Sequence, residues 1–290
     1  MEDFEYVEPK TLTEVCQLLE KDEEAKVMAG GASLVMLMKN NLVTPGHLIN
    51  LKTVPGLNNI TYDSKNGARI GALATHQEVI DSPVIRQHYP LLAEAGLKIA
   101  SVGIRNQGTI GGDICHADPA ADFPPALIAL NGTLGIVSPG GRRTMPVEEL
   151  FIDYLESSLA HDEVLAEIQI PAPLPRTGWS FLELNKTSNS VAVVSVAAVI
   201  SLESDGKCRQ ANLVLGSAGM TPIRVEKAAG ILVGQKVSPE LIEKATVEAQ
   251  GISNPISDVY GSAEYKREMV KVLSTRALKQ ALSRVEANIP

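Results

Sequence analysis

Apolar positions in the first fifty residues have the spacing of a small β-α-β unit. Thr11-Leu12-Thr13-Glu14 is a capping box, and the apolar residues from Leu12 to Leu19, which include a buried Cys16, fall on one helix face. Residues 3–7, 25–29 and 47–51 predict strands, and residues 34–38 predict a short second helix. The unit places Ala29-Gly30-Gly31-Ala32-Ser33-Leu34 in the connection between a strand and a helix.

From residue 57 the pattern changes to hairpins. Residues 59–63 and 68–73 predict two strands joined through Asn66-Gly67, a strong hairpin signal, and further strands are predicted at 133–137, 142–145 and 165–170. Helices are predicted at 90–100 and 123–130. The proline-rich segment 171–175 then predicts an extended connection. Beyond it we predict strands at 191–202 and 209–215 and helices at 222–233, 239–250 and 262–286.

A second glycine pair stands in Thr109-Ile110-Gly111-Gly112-Asp113. Glycine lacks a Cβ, so backbone N–H groups in a turn around such a pair can approach a bulky anion such as a phosphate. Neither pair fits the dinucleotide fingerprint G-x-G-x-x-G, and Thr109 stands where a P-loop requires lysine. From the residues alone, ordinary tight turns remain the alternative.

Charge and composition exclude several classes of protein. The net charge of −8 and the lack of a basic run disfavour nucleic acid and anionic membranes as partners. The three cysteines are far apart, which excludes a disulfide framework and a C-x-x-C metal motif, and Cys115-His116-x-Asp118 offers too few ligands for a metal. No apolar stretch is long enough for a membrane span and no signal peptide is evident, so we expect a cytoplasmic protein. His76 and His88 are expected at the surface or in caps.

The two glycine motifs together resemble the signature of one family. Ala-Gly-Gly-x-Ser-Leu at 29–34 and Ile-Arg-Asn-x-Gly-Thr-Ile-Gly-Gly-Asp at 104–113 look like the FAD-binding motifs of the medium, flavoprotein subunit of molybdenum hydroxylases, whose members include carbon monoxide and xanthine dehydrogenases. The similarity continues in order through 118–127, 162–171, 262–267 and 276–278. It implies an α+β fold, with a two-lobed PCMH-type FAD-binding domain (1–55 and 56–175) followed by a C-terminal α+β domain (176–290) of antiparallel sheet and helices.

The resemblance also implies a set of cofactor-binding residues, with no catalytic side chain and no metal ligand on this chain. Asp122 would accept hydrogen bonds from cofactor hydroxyls, Leu165 would line the flavin, and Lys186 would lie near its ring. Asp113 stands where many relatives have asparagine, and Glu183 and Lys186 occupy a region where relatives often have lysine and then arginine. The full expected set is Val27, Met28, Ala29, Gly30, Gly31, Ala32, Ser33, Leu34, Thr109, Ile110, Gly111, Gly112, Asp113, Asp122, Leu165 and Lys186.

The function implied by the resemblance is electron transfer through bound FAD. A large subunit would hold the molybdenum cofactor, a small subunit with two [2Fe-2S] clusters would pass electrons to this FAD, and the acceptor would be NAD, quinone, ferredoxin or oxygen. A dimer of heterotrimers is the expected assembly. Two alternatives stay open from the sequence: a self-sufficient FAD-dependent oxidoreductase, and a non-enzymatic assembly protein that retains the fold.

Overall fold

The N-terminal lobe is a three-stranded parallel sheet with two helices. This computed structural model describes residues 2–187 and 190–287. Strands β1 (Glu5–Val7), β2 (Lys26–Met28) and β3 (His47–Asn50) have the order β1-β3-β2. Helix α1 (Leu12–Lys21) begins at the predicted capping box, where the Glu14 N–H donates to Thr11 Oγ1 at 3.2 Å, and it buries Cys16 as expected. Helix α2 (Leu34–Lys39) follows the first glycine pair.

The second lobe is an antiparallel sheet surrounded by short helices. Its strands are β4 (Ile60–Asp63), β5 (Gly67–Gly71), β6 (Thr133–Ser138), β7 (Gly141–Pro146) and β10 (Val164–Ile170), in the order β4-β5-β10-β6-β7, with a small hairpin of β8 (Phe151–Asp153) and β9 (Glu156–Ser157) beside them. The helices are α3 (His76–Asp81), α4 (Pro83–His88), α5 (Pro90–Gly96), α6 (Val102–Gln107), α7 (Ile110–His116) and α8 (Phe123–Ala129).

The C-terminal sheet is covered on both faces. Its antiparallel strands are β11 (Thr177–Asn185), β12 (Ala192–Leu202), β13 (Cys208–Gly216) and β14 (Ile223–Arg224). Ala197 and Val199 of β12 pack into the core of the second lobe, whereas Val196 and Ala198 pack toward the C-terminal helices. Because side chains alternate across a strand, this period of two places the sheet between two apolar layers. Those helices are α9 (Glu226–Leu232), α10 (Pro239–Ile252) and α11 (Ala263–Ala287).

Arg284 near the end of α11 ties the C-terminal unit to the second lobe. Its guanidinium lies 2.8 Å from Glu94 Oε1 on α5, donates to the Trp179 carbonyl at 2.9 Å and stacks over the Trp179 ring at 5.3 Å. A cation that is bonded in plane and stacked against an aromatic face is held in a single geometry. Through Arg284, the C-terminal helix that contains it is held against α5 of the second lobe.

The structure differs from the predicted elements mainly around the second glycine pair. Residues 104–113, expected as a loop, form α6 and α7, with Gly111 and Gly112 in the first turn of α7. Strand β11 was not predicted, and the helix predicted at 222–233 divides into β14 and α9. The three main sheets fall one within each of the proposed ranges 1–55, 56–175 and 176–290, and these boundaries stay a prediction. In the described part of the chain, no helix combines the length and apolar character needed to cross a bilayer.

Candidate functional site

A cavity of about 380 Å³ lies between the N-terminal lobe and the second lobe. Both glycine motifs line it, which confirms that the fold brings two segments eighty residues apart to one place. Most of the expected site residues are in its wall: Val27, Ala29, Gly30, Gly31, Ala32, Ser33, Leu34, Thr109, Gly111, Gly112, Asp113 and Leu165.

The first glycine motif presents free backbone donors to this cavity. Gly31 has a φ of +78°, a left-handed conformation that glycine adopts at little cost. Among the described residues, no acceptor receives the backbone N–H groups of Gly31, Ala32, Ser33 or Leu34. The Ser33 side chain makes no capping bond to α2 either. Consecutive free N–H groups around a left-handed residue form an anion-binding concavity, so this loop has the chemistry of a phosphate site.

Gly30 allows the two lobes to meet. A Cβ added at Gly30 would lie 2.1 Å from the carbonyl oxygen of Gln107, at the end of α6. The Gln107 side-chain amide in turn donates to the Gly30 carbonyl at 3.3 Å. Only glycine permits this backbone contact between the two lobes.

The second glycine motif lies at the N-terminus of α7, where the sequence predicted a turn. The N–H groups of Ile110 and Gly111 donate to the carbonyls of Ala74 and Ala72 at 2.9 Å each. Gly112 donates to Thr109 Oγ1 at 3.2 Å, and Asp113 donates to the Thr109 carbonyl at 2.9 Å. The four N–H groups from Ile110 to Asp113 therefore all have acceptors within the protein, and the role of this motif toward a phosphate stays a prediction.

The second glycine pair instead permits close packing. A Cβ at Gly111 would lie 2.6 Å from the Ala72 Cβ, so α7 can lie against the residues that follow β5 only with glycine there. Gly112 is exposed on the opposite side, where a Cβ would approach Thr109 Oγ1 at 2.9 Å and the Ala29 side chain at 3.6 Å. Both glycines of the pair line the cavity.

Apolar side chains form much of the remaining wall. Leu165, the second residue of β10, is buried, and Ile99 follows α5. Leu34, Leu37 and Ile104 add further apolar surface, which suits a planar aromatic ring system better than a strongly hydrated ligand.

Two polar side chains, the half-buried Asp113 and the buried His76, are on the α7 side of the cavity. Burial raises the pKa of Asp113, and its Oδ2 has no hydrogen-bond partner among the described residues. His76, expected at the surface or in a cap, is 4% exposed and also lines the cavity. Its Nε2 is 3.1 Å from the Thr109 carbonyl, which can only accept, so Nε2 carries the hydrogen. The surface prediction for His76 is wrong because α3 packs against the start of α7.

Four of the expected residues do not line the cavity. Met28 ends β2 behind the first loop, and Ile110 is fully buried in the core of the second lobe. Asp122 is buried directly before α8. The Lys186 ammonium donates to the Val259 carbonyl at 2.9 Å, within the C-terminal unit. Their roles toward a cofactor stay predictions.

The expected set of cofactor-binding residues lacks several wall residues. Ile104 and Gly108 stand within the 104–113 motif and some others flank a motif, whereas the rest depend on which segments the fold brings together. The additional residues are Lys26, Leu37, Leu51, Ala72, Leu73, His76, Ile99, Ile104, Gly108, Cys115, His116, Leu159, Glu163 and Val164. Burial raises the pKa of Cys115 to about 12, so its thiol stays protonated at neutral pH and is a poor nucleophile.

The chemistry of the cavity fits FAD. The free N–H groups of the first loop suit a pyrophosphate, the apolar walls suit aromatic rings, and the unpartnered polar atoms suit hydroxyl groups. Among residues 2–187 and 190–287, no cluster of three or more His, Cys, Asp or Glu side chains could hold a metal. Fold and site together define a two-lobed nucleotide-cofactor protein with an additional C-terminal domain.

Comparison with known families identifies this class more closely. Residues 2–173 match the FAD-binding domain of molybdopterin dehydrogenases, and residues 179–281 match the C-terminal domain of the carbon monoxide dehydrogenase flavoprotein. The chain belongs to this family of FAD-binding medium subunits of molybdopterin-dependent oxidoreductases. The resemblance, the fold class and the assignment as an oxidoreductase subunit are thereby confirmed.

Individual relatives match over almost their full length. The medium subunit of nicotine 6-hydroxylase from Paenarthrobacter nicotinovorans is 36% identical over 96% of this chain and 97% of its own. The medium chain of carbon monoxide dehydrogenase from Hydrogenophaga pseudoflava is 34% identical over 97% of this chain and 98% of its own. A solved structure of that organism's carbon monoxide dehydrogenase, in a form that lacks the Mo-pyranopterin moiety, superposes with a TM-score of 0.94 at 35% identity and 98% coverage of both chains.

Proposed function

We propose that this chain holds FAD between its two N-terminal lobes and transfers electrons within a multi-subunit molybdenum hydroxylase. The observation that carries the proposal is the run of four free backbone N–H groups from Gly31 to Leu34, opposite an apolar wall of the same cavity. FAD supplies the redox chemistry, since it accepts electrons from one partner and gives them to another.

The residues of this chain bind and orient the cofactor. The first loop donates to the pyrophosphate, with the Ser33 hydroxyl as a further donor. Leu165 and Ile99 exclude water from the aromatic rings. Thr109 holds the start of α7 through its bond to Gly112 and so fixes the second wall. Because electron transfer needs a bound and correctly placed flavin, no side-chain acid, base or nucleophile is required.

The family assigns the remaining chemistry to other subunits. The relatives are medium subunits or medium chains of larger enzymes, so we propose a large subunit with the molybdenum cofactor and a small subunit with two [2Fe-2S] clusters as partners. A dimer of heterotrimers in the cytoplasm completes the proposal. The external acceptor is one of NAD, quinone, ferredoxin and oxygen.

An absorption spectrum of the protein purified with its partners tests the proposal, together with chromatography of the released cofactors. We expect FAD with iron–sulfur absorption and molybdenum in the accompanying chains. FAD on a chain that has no partners and turns over an organic substrate would favour a self-sufficient oxidoreductase. A flavin-free complex with intact partners, which takes up no added FAD, would contradict the proposal and favour an assembly protein.

A further inference from the structure

The imidazole ring of His76 is held in one orientation in the wall of the cavity. His76 is the first residue of α3, and it lines the cavity together with Gly108 and Thr109. Its backbone N–H donates to the Gly108 carbonyl at 3.0 Å, and its ring Nε2–H donates to the Thr109 carbonyl at 3.1 Å. The ring also meets the Phe123 ring edge-on, with the centroids 5.3 Å apart. In the neutral ring, Nδ1 therefore carries a lone pair and no hydrogen.

This second ring nitrogen has no hydrogen-bond partner. Nδ1 is buried, and no group in the described part of the chain donates to it. Asp113 Oδ2, the other unpartnered atom on this side of the cavity, is not bonded to it either. A Cβ added at Gly108 would lie 3.0 Å from His76 Cε1 and 3.4 Å from Nδ1, so only glycine leaves this edge of the ring uncompressed. A buried acceptor without a bond is destabilising, and a donor on a ligand would remove that cost.

The parts of FAD differ in what they can offer to this nitrogen. The pyrophosphate has acceptors only, so it cannot bond to Nδ1 and suits the free N–H groups from Gly31 to Leu34. The ribityl and ribose hydroxyls, the N–H of the flavin ring and the amino group of adenine are donors. A bare acceptor in the second lobe and a run of free donors in the first lobe thus complement different parts of one cofactor.

We propose that His76 Nδ1 accepts a hydrogen bond from an O–H or N–H group of bound FAD, and that the Thr109 carbonyl selects the tautomer that makes this bond possible. The inference rests on the proposed function, because FAD is the ligand concerned. Loss of a single neutral hydrogen bond of this kind should weaken FAD binding about two- to tenfold.

Two amide variants separate the roles of the two ring nitrogens. In His76→Gln, the side-chain nitrogen reaches the position of Nε2 and can still donate to the Thr109 carbonyl, but the acceptor at Nδ1 is lost. In His76→Asn, the shorter amide places its oxygen near the position of Nδ1 and no longer reaches Thr109. We therefore expect His76→Asn to melt below His76→Gln and yet to bind FAD more tightly, as measured by thermal unfolding and by titration of the FAD-depleted chain. His88→Gln is the control and should keep the wild-type affinity, since His88 stacks on Tyr62 outside the cavity wall.

Nitrogen NMR of the full chain, labelled with nitrogen-15 at its five histidines, gives a readout independent of activity. The resonances that disappear in His76→Gln identify His76. An unprotonated ring nitrogen shifts toward the protonated position when it accepts a hydrogen bond, so added FAD should move the Nδ1 resonance in that direction and leave Nε2 nearly unchanged. A shift with FMN alone would assign the donor to the flavin half of the cofactor, and a shift with ADP alone would assign it to the adenosine half.

Two results would overturn the proposal while FAD binding itself persists. One is an Nδ1 resonance that does not move when FAD is bound. The other is a pair of variants whose FAD affinities follow their melting temperatures, since a purely structural role of His76 predicts that order. A wild-type chain that takes up no FAD in the same titration would contradict the proposed function, and this inference with it.

Discussion

Gly31 is the residue on which cofactor binding depends most directly. Its left-handed conformation turns the loop so that successive N–H groups point away from protein acceptors. An alanine there is strained by about 1 kcal/mol, and its Cβ would lie 3.2 Å from the Val35 side chain and 3.3 Å from Met28 Sδ. The strain would move the loop out of its donor geometry.

We predict that Gly31→Ala weakens FAD binding at least tenfold, as measured by titration of the FAD-depleted chain. Gly234→Ala is a matched control, since Gly234 has a φ of +79° with open space around its Cβ position. Both variants should lose about 1 kcal/mol of stability, and only Gly31→Ala should lose flavin. Equal FAD affinity in the two variants would mean that the first loop is not the phosphate site.

Single residues show how far the sequence predicts this site. Both glycine pairs could be found from sequence because they stand in recognisable motifs, although the contacts that exclude a Cβ at Gly30 and Gly111 are with distant segments. The burial of His76 could not, since it depends on α3 packing against α7, and the wall residue Ile99 has no motif of its own. Lys186 was expected near the flavin ring, whereas the structure pairs its ammonium with Val259.

At the scale of elements, α7 is the clearest case of tertiary structure overriding local preference. Two consecutive glycines disfavour a helix by about 1 kcal/mol each. Bonds from Ile110 and Gly111 to the segment after β5, and the Thr109 cap, compensate for that loss. By contrast, α11 was predicted well, because Leu273, Ala277, Ala281 and Val285 form a buried stripe that the sequence shows directly.

Removal of the Thr109 hydroxyl, which caps α7, tests the role of this helix as a wall of the cavity. We predict that Thr109→Ala costs about 1 kcal/mol in the free energy of unfolding and also lowers FAD affinity, because the first turn of α7 loosens. Thr11→Ala removes the equivalent hydroxyl from α1, outside the cavity wall. This control should show a similar loss of stability in thermal unfolding, and its FAD affinity should stay unchanged. If Thr109→Ala retains full affinity, the wall does not depend on the cap.

At the scale of the whole molecule, a histidine contact makes stability depend on pH. On β3, His47 Nδ1 lies 2.5 Å from Asp22 Oδ2, and His47 Nε2 lies 3.3 Å from Glu5 Oε2. The backbone carbonyl of Asp22 accepts a hydrogen bond from the His161 side chain of the second lobe. The hydrogen bond to Asp22 raises the pKa of His47 above 6.5 and lowers that of Asp22 below 3.8. The contribution of His47 to the stability of the folded state is complete below pH 6.5 and is lost as the pH rises through its raised pKa. The Asp22 contribution is complete above pH 3.8 and is lost as the pH falls through its lowered pKa.

We therefore predict that the pair stabilises the fold most between pH 3.8 and 6.5. His47→Gln should flatten the fall in melting temperature of the wild-type chain from pH 6.5 upward. His88→Gln serves as the control, because His88 stacks on Tyr62 and has no ion pair among the described residues. A wild-type slope that persists in His47→Gln would show that other groups cause it.

The contact of Arg284 with Glu94 and Trp179 has a consequence for the order of events during synthesis. Arg284 follows both lobes along the chain, since the strands and helices of the two lobes that form the cavity are complete by residue 170. The N-terminal unit can therefore fold while the rest is still being made, as domains generally do. Helix α5, which precedes Ile99 of the cavity wall, receives the restraint from Arg284 only after α11 has been synthesised. Until then the two lobes of the nascent chain lack this restraint on α5.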